Sequence, residues 1–325
     1  MPILLVAIIL VIFLIFMIAS NKTKNKFIHI KDQAIPDNLG IQTDTLLPIV
    51  QELDRTLSSS YTSNVKARFL KEHPKVRDYE FDWFLFELKR FFIMNSLLKS
   101  VPMFSPRVDD IWHEMLMFTR EYEKFSKDYY KEVLHHTPNM EVTPIPGERG
   151  FFDWVYLSLF ESTPNSRAIW GGFLKNPIKQ EIIDDFKNLS ENELLNKYFR
   201  QGHDWLNNKL ELIRKFKNEI LLSEQMMETN RKPTPLPHSS SESQIFHLAV
   251  GAAIFYSLYD SHSFQNSMDE ILPNEYYKVA TTTGTGATCS GFSCSGSSDS
   301  CHSGGDSGGD SGGSSCSSCG SGCSS

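Results

Sequence analysis

Twenty residues, Tyr79–Leu98 (YEFDWFLFELKRFFIMNSLL), constrain the fold of this chain more than any other stretch. The run is too long and too aromatic for one strand, and its apolar residues wrap most of a helical surface. A helix that is apolar on nearly every side needs neighbours on nearly every side. The run therefore predicts a central, mostly buried helix within a mainly α, bundle-like domain. Nothing in the surrounding sequence shows sustained strand alternation or a glycine-rich phosphate loop.

The rest of the body reads as helices packed around that centre. The pattern is helical from about Leu46 to Tyr130. Ser105-Pro106 is the clearest helix start: Ser is a preferred N-cap, Pro suits the first helical position, and Asp109 and Asp110 complement the positive end of the dipole. That helix is expected to run to about Tyr130 and to stop before Pro138. Ser190 to Glu193 reads as a capping box. Trp205–Met227 places Leu206, Leu210, Ile213, Phe216 and Ile220 three and four apart, as an amphipathic helix does. Ile245–Tyr259 (IFHLAVGAAIFYSLY) is apolar on every face, and its fifteen residues leave a buried helix and a membrane-embedded one both open. Phe81-Asp82-Trp83 recurs as Phe152-Asp153-Trp154, which chance explains in an aromatic-rich chain.

The two ends differ from this body. Ile3–Ala19 is 17 consecutive apolar residues, nearly enough to cross a ~30 Å hydrocarbon core as a helix. No basic residue precedes it and its end is a poor cleavage site, so residues 1–20 read as an uncleaved transmembrane anchor touching the bilayer through residues 3–20. Lys22, Lys24 and Lys26 follow at once and predict a single-pass protein of the cell membrane with a cytoplasmic body. Residues 21–40 form a juxtamembrane linker, 41–230 the helical body, 231–243 a Pro/Ser linker, and 244–280 the apolar helix with a polar segment. Thr281–Ser325 holds 16 Ser, 12 Gly and 6 Cys among 45 residues with one large apolar side chain, Phe292, and is expected to be disordered. The net charge of −7 shows no basic footprint and argues against a nucleic-acid partner.

All six cysteines lie in that tail, so the body has no thiol to serve as nucleophile or ligand. Its chemistry must come from other side chains. Asp109 and His113 are four apart, hence on one helix face. His135-His136 arrive where the helix should be ending. Asp109, His113 and one of His135 or His136 make a suitable ligand set for a divalent metal with an open position, and Glu114 would stand by as general base. The spacing lacks the second His of a His-Glu-x-x-His helix, since Met117 stands there. The plainer expectation is structural: Asp109 accepts a hydrogen bond from a partly buried His113 while Trp112 packs in the core. In the tail, Cys316, Cys319 and Cys323 could chelate a soft metal, form local disulfides or accept lipid.

The order Asp109-x-x-Trp112-His113, then Thr119-x-x-Tyr122-x-x-Phe125, then His135-His136-x-Pro138 resembles the glycine-rich domain-containing protein-like family, over about residues 64–140. The Gly/Ser/Cys-rich tail fits the kind that gave such proteins their name. Many members carry a second His where Met115 stands and a Cys where Ser126 stands, and both departures remove potential ligands. The resemblance implies no established reaction. The first expectation is thus an anchored binding or scaffold module whose partner is another protein, rather than an enzyme. A metal-dependent hydrolase built on Asp109, His113 and His136 is the alternative, and a thiol-based metal or redox sensor in the tail a third.

Overall fold

A computed structural model describes residues 29–136, 146–202, 204–236, 242–272 and 276, all within one compact unit that ends before Ser295. The fold is mainly helical. The described residues form twelve α-helices: α1 (Leu47–Thr56), α2 (Ser59–Glu72), α3 (Asp78–Leu97), α4 (Pro106–Leu116), α5 (Thr119–Tyr130), α6 (Pro146–Leu159), α7 (Pro164–Trp170), α8 (Gln180–Asn188), α9 (Glu191–Tyr198), α10 (Leu206–Glu228), α11 (Glu242–Tyr259) and α12 (Phe264–Ile271). The described residues contain two isolated β-bridges, Ile41 with Phe160 and Leu98 with Phe199, and no sheet.

The central helix is where the sequence puts it. In α3, 14 of 20 residues are buried, and α1, α2, α4 and α7 pack around it. Start signals hold as well. Ser105 Oγ accepts the Val108 N–H with Pro106 in the first turn, and Ser190 and Glu193 form a reciprocal capping box. In α10 the positions Ile213, Phe216 and Ile220 are buried as the amphipathic pattern requires, whereas Leu206 and Leu210 are half-buried.

The expected single helix from Pro106 to Tyr130 is two helices, broken at Met117 and Phe118. No glycine or proline causes the break. Met115 O accepts both the Phe118 N–H and the Tyr61 hydroxyl, reaching over from α2 at 2.7 Å. Phe118 then sets its ring edge-on to Tyr61, at 6.1 Å between centroids. A carbonyl satisfied from another helix and an aromatic contact stabilise a bend that local sequence does not announce.

The apolar run at Ile245–Tyr259 is a helix buried over most of its surface, with Leu248 and Tyr259 exposed. Ile245, Phe246, Ala249 and Ile254 of α11 belong to the same core as α3, and α11 packs on α10, α6, α8 and α12. Ser257 Oγ accepts the Ile178 N–H at 2.9 Å, and Leu236 N–H is bonded to Ile271 O at 3.1 Å. The core is continuous across the segment read as a linker. No helix among the described residues is long and apolar enough to cross a membrane. The anchor expected at Ile3–Ala19, with Lys22, Lys24 and Lys26, and the tail expected at Thr281–Ser325 lie outside the described residues. The Phe-Asp-Trp echo has no common use: Asp82 meets Lys66 at 2.8 Å, whereas the fully buried Asp153 clamps Arg149 and the Leu174 N–H.

One polar group sits in the middle of the core. Glu87 and Arg90, three residues apart on α3, have fully buried side chains. Glu87 Oε1 accepts the Ser166 hydroxyl at 2.6 Å, and Oε2 accepts the Tyr156 hydroxyl at 2.6 Å and Trp170 Nε1–H at 2.8 Å. Arg90 Nε donates to Leu39 O at 2.8 Å and Nη1 to Glu161 O at 3.0 Å, with the Phe86 ring 4.2 Å away. Gly40, at φ +56, passes so close that a Cβ there would stand 2.6 Å from Arg90 Nη2. Buried charges survive when they are paired and hydrogen-bonded, and this pair is both, with Arg90 Nη2 left without a hydrogen-bond partner.

Candidate metal centre

Asp109 lies one turn into α4, and its side chain is almost buried. His113 follows one turn later on the same face and is 56% exposed, with Nδ1 3.7 Å from Asp109 Oδ2. His136 arrives from the segment after α5. Its Nε2–H donates to Asp109 Oδ1 at 2.7 Å, and its ring lies 4.5 Å from that of His113. The hydrogen-bonding partner of Asp109 is therefore His136, not the His113 that helical spacing suggests. A four-residue offset brings Asp109 and His113 near each other, but the loop delivers an imidazole closer still.

One donor atom from each of Asp109, His113 and His136 lies within 4.8 Å of the other two. Ligands about 2.0–2.1 Å from a tetrahedral ion are roughly 3.3 Å apart, so small side-chain rotations would close the set around a cation. Two imidazoles and a carboxylate suit zinc, iron, nickel and related divalent ions. His113 leaves one side open. Beside it, His136 also borders a pocket of about 320 Å³ whose walls include Leu116, Thr119, Glu123, Val133 and His135.

His135 is exposed in the pocket wall and is not within the convergent set. Glu114, the candidate general base, is turned elsewhere. Its carboxylate is 7% exposed and stands 2.8 Å from Arg68 Nε of α2. Burial pushes its pKa up against the pull of that guanidinium. Met115 is fully buried in the core. A histidine at that position would point away from the three donors, so the departure at Met115 removes no ligand from this site. Pro138, Cys316, Cys319 and Cys323 lie outside the described residues.

The remaining motif residues are joined by hydrogen bonds that the sequence pattern does not reveal. Trp112 Nε1–H donates to the Tyr122 hydroxyl at 3.0 Å, and that hydroxyl donates to Leu134 O at 2.6 Å. Ser126 Oγ accepts the Leu134 N–H at 2.5 Å. Position 126 thus holds a loop rather than facing the cluster. The Trp112 ring meets the His136 imidazole edge-on at 4.4 Å. Burial pushes the Tyr122 hydroxyl up to about 12, which keeps it a donor at neutral pH. Thr119 is exposed at the first position of α5.

A family described as UCP032817-like matches residues 46–147, just under a third of the chain and the part that carries all three donors. No curated protein and no solved structure matches the chain. The similarity is to a segment running from the residue before α1 to the start of α6.

Proposed function

We propose that this helical domain binds a divalent transition-metal ion through Asp109, His113 and His136. The observation that carries the reading is the convergence of these three donors from a helix and a distant loop, with one face open beside a pocket. Three protein ligands with a vacant position is the pattern of a metal that holds a water or a substrate oxygen. Metal-assisted hydrolysis is the reaction class that such a position supports. Glu114 is not available to it as a base, being held against Arg68. The anchor read at Ile3–Ala19 would keep the site at the inner membrane surface, and the resemblance to the glycine-rich domain-containing family belongs to the same proposal. The test is metal analysis of the full-length protein after exposure to zinc, beside His136→Ala. About one ion per chain in the wild type, lost in the variant, supports the reading; no bound ion in the wild type overturns it.

A second reading is favoured by the 2.7 Å bond between His136 and Asp109. On that reading the pair is a structural tie in an anchored scaffold module, and the exposed His113 belongs to a protein-binding surface. Chelator decides between them. A melting temperature that falls on chelation of the zinc-exposed wild type supports the metal; an unchanged one, with no bound ion, supports the tie.

A further inference from the structure

We infer that Tyr122 and Ser126 are positioning residues for the metal site: from one face of α5 they capture both backbone groups of Leu134 and so fix where His136 presents its imidazole. The inference rests on the metal-binding reading above.

His136 belongs to no helix, so nothing in regular structure sets its position. α5 ends at Tyr130, the φ of +65 at Lys131 turns the chain back, and the segment 132–136 runs as irregular backbone. Leu134 supplies its main-chain bonds to the rest of the described fold. The Tyr122 hydroxyl takes the carbonyl and Ser126 Oγ takes the N–H. Tyr122 and Ser126 are four apart, hence neighbours on one helix face, and both are buried. Two bonds to one residue fix its peptide planes at both sides, and His136 follows two residues later.

The grip is itself anchored to the other two ligands. Trp112, which donates to the Tyr122 hydroxyl, lies on α4 between Asp109 and His113, and its ring edge meets His136. The helix that carries two ligands thus sets the hydroxyl that places the third. Neither Tyr122 nor Ser126 needs to touch the ion. Partners that orient a metal ligand typically change affinity by about 10–100-fold when removed.

The experiment is a titration of the full-length protein with cobalt(II), followed by its visible absorption, which reports ligand geometry as well as occupancy. Four variants accompany the wild type. Y122F removes one hydroxyl and keeps the ring. S126A removes the other acceptor, and S126T restores it. Y130F is the control: its hydroxyl is as deeply placed on the same helix but donates to Phe92 O of α3 at 3.0 Å, away from the loop. The expected result is a loss of about 10–100-fold in cobalt affinity for Y122F and S126A, recovery in S126T, and no change in Y130F. Wild-type affinity in both Y122F and S126A overturns the inference and leaves the metal reading standing. An equal loss in Y130F overturns it too, since general loosening would then account for the effect. A wild type that binds no cobalt overturns the metal reading itself.

Discussion

Two clusters of charged side chains lie on adjacent helices and are built in opposite ways. Glu87 and Arg90 on α3 are wholly removed from solvent, and the carboxylate accepts from Ser166, Tyr156 and Trp170 together. Asp109 on α4 accepts one close bond, from His136, and has His113 at a looser 3.7 Å. An ionised carboxylate offers about four acceptor positions. Glu87 spends most of them on fixed partners, whereas Asp109 keeps capacity in reserve next to an exposed imidazole. Saturation with burial marks a group that holds the fold together. Partial saturation at an edge marks one that can still take a ligand.

The sharpest way to break this contrast is to remove Glu87. Glu87→Ala leaves Arg90 buried without its counter-charge, and the expected loss is about 3–5 kcal/mol of folding stability, the usual result of orphaning one member of a buried pair. Chemical denaturation measures it; a loss under about 1 kcal/mol would show that water enters the core to solvate Arg90. An intermediate effect belongs to the tie between Asp109 and His136. Each alanine variant is expected to lose about 1–3 kcal/mol in the metal-free protein, because each leaves a partner unpaired in a mostly buried place. The double variant should cost less than the sum, with a coupling of about 0.5–3 kcal/mol. Strict additivity would mean that the two side chains do not bond in solution. The smallest effect on stability is expected at His113. His113→Ala should stay within about 0.5 kcal/mol in metal-free melts, as exposed positions do, while zinc retention falls. A large destabilisation without metal would move His113 to the structural side of the comparison.

Much of the fold was legible from local chemistry. The Ser105-Pro106 start, the Ser190 to Glu193 box and the burial of Tyr79–Leu98 each depend on residues close in sequence, and each appears where local rules put it. What escaped depends on distant partners. The break at Met117 and Phe118 is held by Tyr61, and the ionic pair in α3 reads as two polar letters in an apolar run because its partners come from residues 39 and beyond 150. The candidate site was legible in part. The residue types offered Asp109, His113 and one of His135 or His136; the fold gathers His136 and leaves His135 in the pocket wall, and it brings His136 closer to Asp109 than helical spacing brings His113. The positions of Met115 and Ser126 read as lost ligands only until their side chains are seen in the core and on Leu134.

The saturation of Glu87 has a bearing on inheritance. The similarity to the UCP032817-like family covers residues 46–147 and includes both Glu87 and Arg90. The neutral groups that hydrogen-bond to them, Leu39 O, Tyr156, Glu161 O, Ser166 and Trp170, all lie outside that span. The recognisable portion is therefore not a portable module. A gene rearrangement that carried residues 46–147 into another chain would deliver a helix with an exposed wound where its core should close. In this chain the segment keeps company with a companion half that supplies a tyrosine, a serine and an indole to the same carboxylate.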